Sequence, residues 1–239
     1  MMKSVWIITK RELNSFFDSL MAYILIVVFL GFSGFFTWIQ GSDVFFINQA
    51  TLQSFFSIAY WTLFFFIPAL TMRSIAEEKK TGTIEMILTK PISERQFVFG
   101  KFLAILLLIV VALALTLPYY ITLAGLGKVD HSAILFGYLG LLLMSAAYIS
   151  IGIFTSCLTN NQIVAFLLAL CIGVFFHILF DVFSYGIPGF LSKAFHYLSM
   201  STHFESISRG VLDSKDLIYF LSIIALGLGS SELFLSKKD

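Results

Sequence analysis

Two ionisable side chains whose spacing could support chemistry are His177 and Asp181, which lie four residues apart near the end of an apolar stretch. Residues at positions i and i+4 of a helix lie on the same face, so this pair could share a proton or a metal ion. Ionisable groups are costly inside a bilayer and are usually functional there. The pair therefore allows an intramembrane hydrolase as one hypothesis. A structural hydrogen bond near the end of the helix explains the same spacing and is the interpretation we favour.

A second pair of carboxyl groups, Glu77 and Glu78, could complete such a site only if it lay close to His177. The glutamates fall in a polar segment that follows the second apolar stretch, whereas His177 lies near the end of the fifth. At 1.5 Å per residue, His177 is about 9 Å from that end. The two groups are thus expected near opposite faces of the bilayer, which argues against a joint hydrolytic site.

No motif in the chain predicts a nucleotide or metal site. The dipeptides Gly100-Lys101 and Gly127-Lys128 lack the upstream glycine and the following Ser or Thr that a phosphate-binding loop requires. Cys157 and Cys171 lie in or beside apolar runs and belong to no CxxC or Cys/His cluster. We therefore expect no cofactor on this chain, and any ATP must be bound by another protein.

The composition predicts the kind of element that positions these side chains. Of 239 residues, 59% are apolar, 17% aromatic and only 12% charged, whereas soluble domains are about 45–50% apolar and about 25% charged. A soluble globular domain and a disordered chain are both excluded. The net charge of +1 provides no basic surface for nucleic acid. The chain is therefore expected to be a membrane protein that does not bind nucleic acid.

Six apolar stretches have about the 20-residue length that a helix needs to cross the hydrocarbon core. Each is continuous rather than alternating, which excludes a transmembrane β-barrel. We therefore predict an all-α polytopic membrane protein that forms a single domain over residues 1–239. Its predicted spans are 20–39, 54–72, 102–124, 133–155, 163–183 and 217–235.

The distribution of positive charge orients these spans. Segments on one side of the membrane carry eleven of the 15 Lys and Arg residues. By the positive-inside rule that side is cytoplasmic, and it includes both termini. The amphipathic residues 1–19 are predicted to form a helix in the membrane interface. Residues 184–216 are predicted to form an outer helical segment.

Two sequences have the pattern of a capping box, in which a Ser or Thr and a Glu or Gln three residues later begin a helix. Ser93-Glu94-Arg95-Gln96 precedes the third span, and Thr202-His203-Phe204-Glu205 lies in the outer segment. We expect a helix to begin at each of them, the second one ending before Gly210.

Residues 73–101, between the second and third spans, form the most informative segment. Gly82 favours the left-handed conformation that ends a helix, and Thr83 can begin a second short helix that stops at Pro91. The carboxylate of Glu85 adjoins an apolar face made of Ile84, Ile87 and Leu88. A free loop would expose that face to water, whereas a groove on another protein would bury it. We therefore predict that the loop docks on a partner and does more than set topology.

The same loop resembles the signature of ABC-2 type permeases, the membrane subunits of one class of ABC transporters. Its residues are Glu77-Glu78-Lys79-x-x-Gly82-Thr83-Ile84-Glu85-x-x-Leu88-x-x-Pro91-Ile92-Ser93, closing with Gly100-Lys101. Six spans of type V exporter-like architecture, the N-terminal interfacial helix and the outer segment also fit that family. Within it, residues 201–213 and the span that follows are most similar to the gliding-motility-associated permeases.

The resemblance implies that residues 83–88 are a coupling helix received by a cleft in a separate cytoplasmic ABC ATPase, which holds ATP and Mg. The site residues that it implies are Glu77, Glu78, Gly82, Thr83, Ile84, Glu85, Ile87, Leu88 and Pro91. It further implies an exporter of the bacterial cytoplasmic (inner) membrane. Two ATPases would join two identical or homologous permeases, with room for an auxiliary membrane protein that has an outer domain. An ion-coupled secondary transporter is a further alternative, which the lack of mid-span carboxylates disfavours.

Overall fold

The computed structural model describes residues 2–39, 51–88, 92–186 and 189–236, and within these ranges the chain forms helices and connecting turns without a strand. The elements are α1 (Met2–Asp18), α2 (Leu20–Trp38), α3 (Gln53–Thr71), α4 (Ala76–Lys80), α5 (Thr83–Leu88), α6 (Glu94–Ala114), α7 (Leu117–Leu126), α8 (His131–Leu158), α9 (Gln162–Val174), a π-helical turn (Phe175–Leu179), α10 (Phe180–Gly186), α11 (Phe190–Leu198), α12 (Met200–Ser208) and α13 (Ser214–Ser236).

Six helical stretches in the described residues are long and apolar enough to cross a membrane. They are Leu20–Trp38, Gln53–Lys80, Glu94–Leu126, His131–Leu158, Gln162–Ser184 and Ser214–Ser236. The prediction of an all-α protein with six spans is therefore confirmed.

The third span differs most from its predicted limits. It begins eight residues before Phe102, at Glu94, and it is interrupted between α6 and α7. Pro118, near the start of α7, has no N–H to continue the hydrogen-bond ladder, and Thr116 instead bonds through its hydroxyl to the Leu113 carbonyl, 2.7 Å away. The third span thus contains the predicted residues 102–124, but it begins earlier and consists of two helices.

The two predicted capping boxes have different outcomes. Ser93 accepts a hydrogen bond from the Gln96 backbone N–H and the Gln96 side chain accepts one from the Ser93 N–H, both at 3.3 Å, so α6 begins where the pattern predicts. Thr202 lies inside α12, which already begins at Met200 after the extended residue Ser199. The carboxylate of Glu205 instead pairs with a residue one turn later, Arg209, so the second predicted box is wrong.

Helix α8 is the centre of the bundle and packs against α3, α6, α9, α12 and α13. Small residues allow the closest of these contacts. A Cβ on Gly152 would collide with Thr71 of α3, and a Cβ on Gly227 of α13 would collide with Ser150 of α8. These contacts hold α3 and α13 against the central helix.

Contacts between helices define two ends of the bundle. At the end that we call the loop end, α1, α4, the start of α6 and the last turns of α8 and α13 meet. At the far end, the start of α3 and of α8, the π-helical turn and α12 meet. Arg11 and Phe234, which are close to the two chain termini, both lie at the loop end.

Candidate docking site at the loop end

The α4–α5 loop (residues 76–88) is fastened to the central helix by Ser156 of α8. Its Oγ accepts hydrogen bonds from the backbone N–H groups of Ile75 and Ala76, at 3.1 and 2.9 Å, and donates to the Met72 carbonyl at 3.2 Å. The first N–H groups of a helix have no partner within it, so this hydroxyl acts as a cap supplied by another helix. The end of α3 and the start of α4 are thereby fixed to one point on α8.

A network of four charged side chains holds α4 against α1 and α6. The Lys101 ammonium of α6 lies 3.0 Å from Glu78 of α4 and 3.3 Å from Glu12 of α1. Arg11 contacts the same two carboxylates, at 3.3 and 2.6 Å. Two positive and two negative charges therefore meet where three helices join, and the network has no net charge.

The members of this network differ in their exposure to solvent. The Lys101 side chain is only 2% exposed and its ammonium lies 5.0 Å from the centre of the Phe97 ring, whereas the Arg11 side chain is 52% exposed. Burial raises the pKa of Glu12, but attraction from Lys101 and the hydrogen bond and attraction from Arg11 outweigh it, so the pKa lies below its ordinary value. The carboxylate form of Glu12 is thus stabilised in the folded chain.

The remaining residues of α4 divide between a buried and an exposed face. Lys79 donates a hydrogen bond to the Cys157 carbonyl at the end of α8, and its ammonium lies 4.8 Å from the centre of the Phe234 ring. Glu77, by contrast, is exposed. Of the two predicted site glutamates, Glu78 therefore binds α4 to the bundle and Glu77 is accessible to another molecule.

Gly82 forms the turn between α4 and α5. Its φ of 71° lies in the left-handed region that favours glycine, as the sequence predicts. Beside it the hydroxyls of Thr81 and Thr83 lie 2.9 Å apart, and the Thr81 hydroxyl donates to the Glu77 carbonyl at 2.9 Å. The turn is thus closed by local hydrogen bonds.

Helix α5 projects from this turn with a mixed surface. Glu85 and Met86 are exposed, whereas Ile84 is half-buried and packs against the core of the bundle. Ile87 and Leu88 complete the helix, although their side chains, and all of Pro91, lie outside the described residues. The arrangement offers a short helix, with a carboxylate at its surface, on a base that is bonded to α1, α6 and α8.

The pair His177 and Asp181 does not form the hydrogen bond that their spacing suggested. The His177 Nδ1 lies 3.2 Å from the Gly173 carbonyl, and Nε2 has no hydrogen-bond partner among the described residues. His177 lies in the π-helical turn Phe175–Leu179, whereas Asp181 follows in α10. Within the described ranges, no three His, Cys, Asp or Glu side chains lie close enough together to hold a metal ion.

Sequence reasoning missed the residues that anchor the loop. No motif linked Arg11 and Glu12 to Glu78, the signature that contains both Glu78 and Lys101 did not pair them, and Ser156 is one serine in a long apolar helix. Another missed pair is His203 and Asp216 at the far end, whose Nδ1 and Oδ1 lie 2.6 Å apart in a buried contact. The sequence signal that could have identified these residues is a charged side chain next to the end of a span, because such a side chain needs a partner when it is buried.

Comparison with known proteins agrees with this architecture. The family model described as ABC-2 family transporter protein matches residues 40–235, which include the second to fifth spans, all but the last residue of the sixth, and the whole α4–α5 loop. No curated protein sequence gives a significant match. The chain has six apolar helices, and its exposed, anchored loop follows the second span. Because it also matches that family model over most of its length, the chain belongs to the ABC-2 family of transporter proteins.

Proposed function

We propose that this multi-pass membrane protein is the permease subunit of an ABC exporter, and that the α4–α5 loop receives the force of ATP hydrolysis from a separate ATPase. The observation that carries the proposal is the contrast within the loop itself. Its tip exposes Glu85 and Met86, while its base is bonded to the bundle through Ser156 and Lys101. A surface that only set topology would need no such anchor.

A push on α5 would reach the spans through bonds that are present in the folded chain. From α5 it passes through the Gly82 turn to α4, then through Ser156 to α8 and through Lys101 to α6 and α1. Because Gly152 and Thr71 also bring α3 and α8 into close contact, a displacement of the loop is expected to carry both spans with it. Closure of the ATPase subunits would then bias the permease between two arrangements of its helices.

The partners in this proposal are an ABC ATPase, which binds ATP and Mg, and a second permease. Of the apolar segments of these spans, 22% is buried in α2 and 17% in α13, against 67% in α8. Outer helices with this much free apolar surface can contact lipid or a second permease chain. We place the assembly in the bacterial inner membrane with the loop end in the cytoplasm. The similarity of residues 201–213 to gliding-motility-associated permeases remains a sequence prediction.

Co-purification tests the proposal directly. The tagged full chain, extracted in mild detergent from membranes of its native cell, should retain an ATPase that is identified by its phosphate-binding loop sequence. Glu85→Lys and Met86→Asp should reduce the amount of ATPase recovered by about tenfold or more, because charge and shape at a docking helix carry much of the binding energy.

The matched control is Glu94→Lys, the same change in a carboxylate in the first turn of α6 that the proposal does not place in the contact. Equal recovery of the ATPase with all variants, or recovery of none with the native chain, would contradict the proposed coupling role.

A further inference from the structure

Four exposed side chains form a stripe along α3 that changes from polar to apolar with depth. Gln53, Ser57, Trp61 and Phe65 follow one another at intervals of four residues, so each lies beside the next on the helix surface. From the far end inwards the stripe passes from an amide and a hydroxyl to an indole and then to a phenyl ring. At 1.5 Å per residue it is about 18 Å long, close to the roughly 15 Å of half a hydrocarbon core. A phospholipid changes from polar to apolar in the same order.

The polar end of the stripe opens into a cavity of about 430 Å³ between α3, α10 and α12. This volume falls within the range of about 300–1,000 Å³ that small-molecule sites occupy. Gln53, Ser57 and Arg209 line it and can donate hydrogen bonds. The carboxylates of Asp181 and Glu205 line it as well and accept hydrogen bonds. A head group that fits the cavity therefore needs both acceptors and donors.

The same wall carries charges of both signs. Glu205 and Arg209 pair at 2.9 Å, and both remain accessible, with side chains that are 59% and 68% exposed. Asp181 is half-buried and takes part in no ion pair among the described residues. The guanidinium suits a phosphate and the carboxylates suit an ammonium. One cation and two anions thus complement a head group that contains both groups.

Beside the apolar end of the stripe, α2 and α3 form a groove that is lined almost entirely by apolar side chains. Its two parts, of about 380 and 490 Å³, share Phe32 and Phe36 of α2. Phe65 lines the first part and Gly31 the second. A Cβ on Gly31 would meet no atom within 4 Å, so the missing side chain leaves the groove open there. The groove suits an acyl chain.

Trp61 joins the groove to the cavity. Its side chain lines both of them and is 43% exposed. Because α2 runs from the loop end to the far end, the groove extends inwards from Phe36 to Val28, over about 12 Å. Tryptophan is typical of the boundary between head groups and hydrocarbon. The cavity therefore lies at the level of the head groups and the groove at the level of the acyl chains.

We propose that the cavity and the groove together bind one phospholipid of the leaflet at the far end, with a primary ammonium in its head group. Gln53, Ser57 and Arg209 bind the phosphate. Asp181 and Glu205 bind the ammonium, and one acyl chain lies along α2. A lipid with only negative charge would add to the excess of anions on the wall, and a quaternary ammonium has no N–H to donate to them. The inference goes beyond the proposed function, because this binding needs neither an ATPase nor transport.

Fluorescence of Trp61 measures which lipid occupies the site. The chain has three tryptophans, so Trp6→Phe together with Trp38→Phe leaves Trp61 alone. This full chain is reconstituted in bilayers of two lipids in equal amounts, one of them with brominated acyl chains that quench indole fluorescence on contact. Pairs of phosphatidylethanolamine with phosphatidylcholine, and of phosphatidylethanolamine with phosphatidylglycerol, are compared with the bromine on either member.

Phosphatidylethanolamine should quench Trp61 with an affinity at least about fivefold higher than that of either competitor, because only it offers both a phosphate and an N–H donor of positive charge. Equal quenching would mean ordinary contact with lipid, and preference for a competitor would mean a different head group. Absence of quenching would mean that protein covers the groove. Each of these results overturns the proposal.

A soluble probe distinguishes the lipid from its free head group. Glycerophosphoethanolamine has the same phosphate and ammonium without acyl chains, and it should not relieve the quenching because it buries nothing in the groove. Relief of the quenching by this probe at the concentration of the lipid would overturn the proposal of a lipid site.

Substitutions test the two parts of the site separately. Asp181→Asn and Arg209→Gln should each abolish the preference for phosphatidylethanolamine, whereas Asp18→Asn and Arg73→Gln, the same changes at exposed positions of the loop end, should retain it. If the preference survives in both cavity variants, the proposal is overturned.

Gly31→Phe fills the groove and should weaken quenching by phosphatidylethanolamine about fivefold. Its control is Gly229→Phe on α13, where a Cβ also meets no atom within 4 Å. Equal quenching in these two variants would exclude the acyl chain from the groove and overturn the proposal.

Native mass spectrometry of the unaltered chain replaces fluorescence if the tryptophan substitutions prevent folding. Phosphatidylethanolamine should then remain bound in preference to the other two lipids, and equal retention of all three overturns the proposal. Glu85→Lys, which should lose the ATPase, should keep the lipid preference, so the two proposals fail independently.

Discussion

The two ends of the bundle use polar side chains in different ways. At the loop end, four charged residues on three helices form one network whose carboxylates are still 16–18% exposed. At the far end, His203 and Asp216 form a single pair that is at most 5% exposed, and His177 lies alone among aromatic rings. The loop end is thus braced by interactions between charges, whereas the far end buries polar groups that need individual partners. The first arrangement suits the transmission of force that we propose for the loop.

The largest loss of stability is expected from substitution of Lys101, the buried cation of the charged network at the loop end. Lys101→Met leaves Glu12 and Glu78 close together with only the half-exposed Arg11 as a shared partner, which should destabilise the folded chain by about 3 kcal/mol. The midpoint of denaturant-induced unfolding in micelles measures this change. Lys10→Met, at an exposed position of α1, should leave the midpoint unchanged. If both variants unfold alike, the network is not what braces the loop end.

A substitution at the far end should destabilise the chain less, because it breaks only the single pair of His203 and Asp216. Asp216→Asn removes the charge from the hydrogen bond to His203 and should cost about 2 kcal/mol in the same unfolding experiment. The comparison variant is Asp213→Asn, whose side chain is 52% exposed and pairs with Lys215 at the surface. A larger loss from Asp216→Asn than from Lys101→Met would reverse the proposed difference between the two ends.

A smaller and local effect is expected at the cap of α4. Ser156→Ala removes the acceptor for two backbone N–H groups and should cost about 1 kcal/mol. Hydrogen exchange at the amides of Ile75 and Ala76 should accelerate, while amides in α12 at the far end should keep their native rates. Uniform acceleration across the chain would mean that the substitution loosens the whole bundle and not the loop alone.

The smallest effect concerns pH. Because the pKa of Glu12 is lower in the folded than in the unfolded chain, its contribution to stability is present above the unfolded pKa and is lost as pH falls through the folded pKa. The groups that face it are Arg11, Lys101 and Glu78. Burial raises the pKa of Glu78, whose protonation acts in the opposite direction, so the test is the difference between two proteins. On acidification below about pH 4.3 the native chain should lose the stability that Glu12 contributes, and Glu12→Gln should show a shallower decrease. Parallel pH curves for the two proteins would contradict this assignment.

Much of the fold was predictable from the sequence because the composition of each segment determines whether that segment can lie in the hydrocarbon core of a membrane. A run of about 20 apolar residues must form a helix to satisfy its backbone in lipid, so the six spans followed from the sequence. The capping box at Ser93 and the left-handed turn at Gly82 are also local, since each depends on residues within a few positions. The local pattern failed at Thr202, where an earlier residue already begins the helix. The sequence pattern also did not indicate that the third span divides into two helices near Pro118.

For the docking site, the sequence alone determined that a short amphipathic helix follows the second span, and the family match supports the class of protein. Only the tertiary structure decided which side chains hold it. Arg11 and Glu78 are 67 residues apart in the chain and Ile75 and Ser156 are 81 apart, and no periodicity encodes such pairs. The half-burial of Ile84 and the aromatic shell around His177 likewise depend on which helix faces which. Apolar length is a property of each segment by itself, whereas the partner of a buried polar group depends on how the helices pack together.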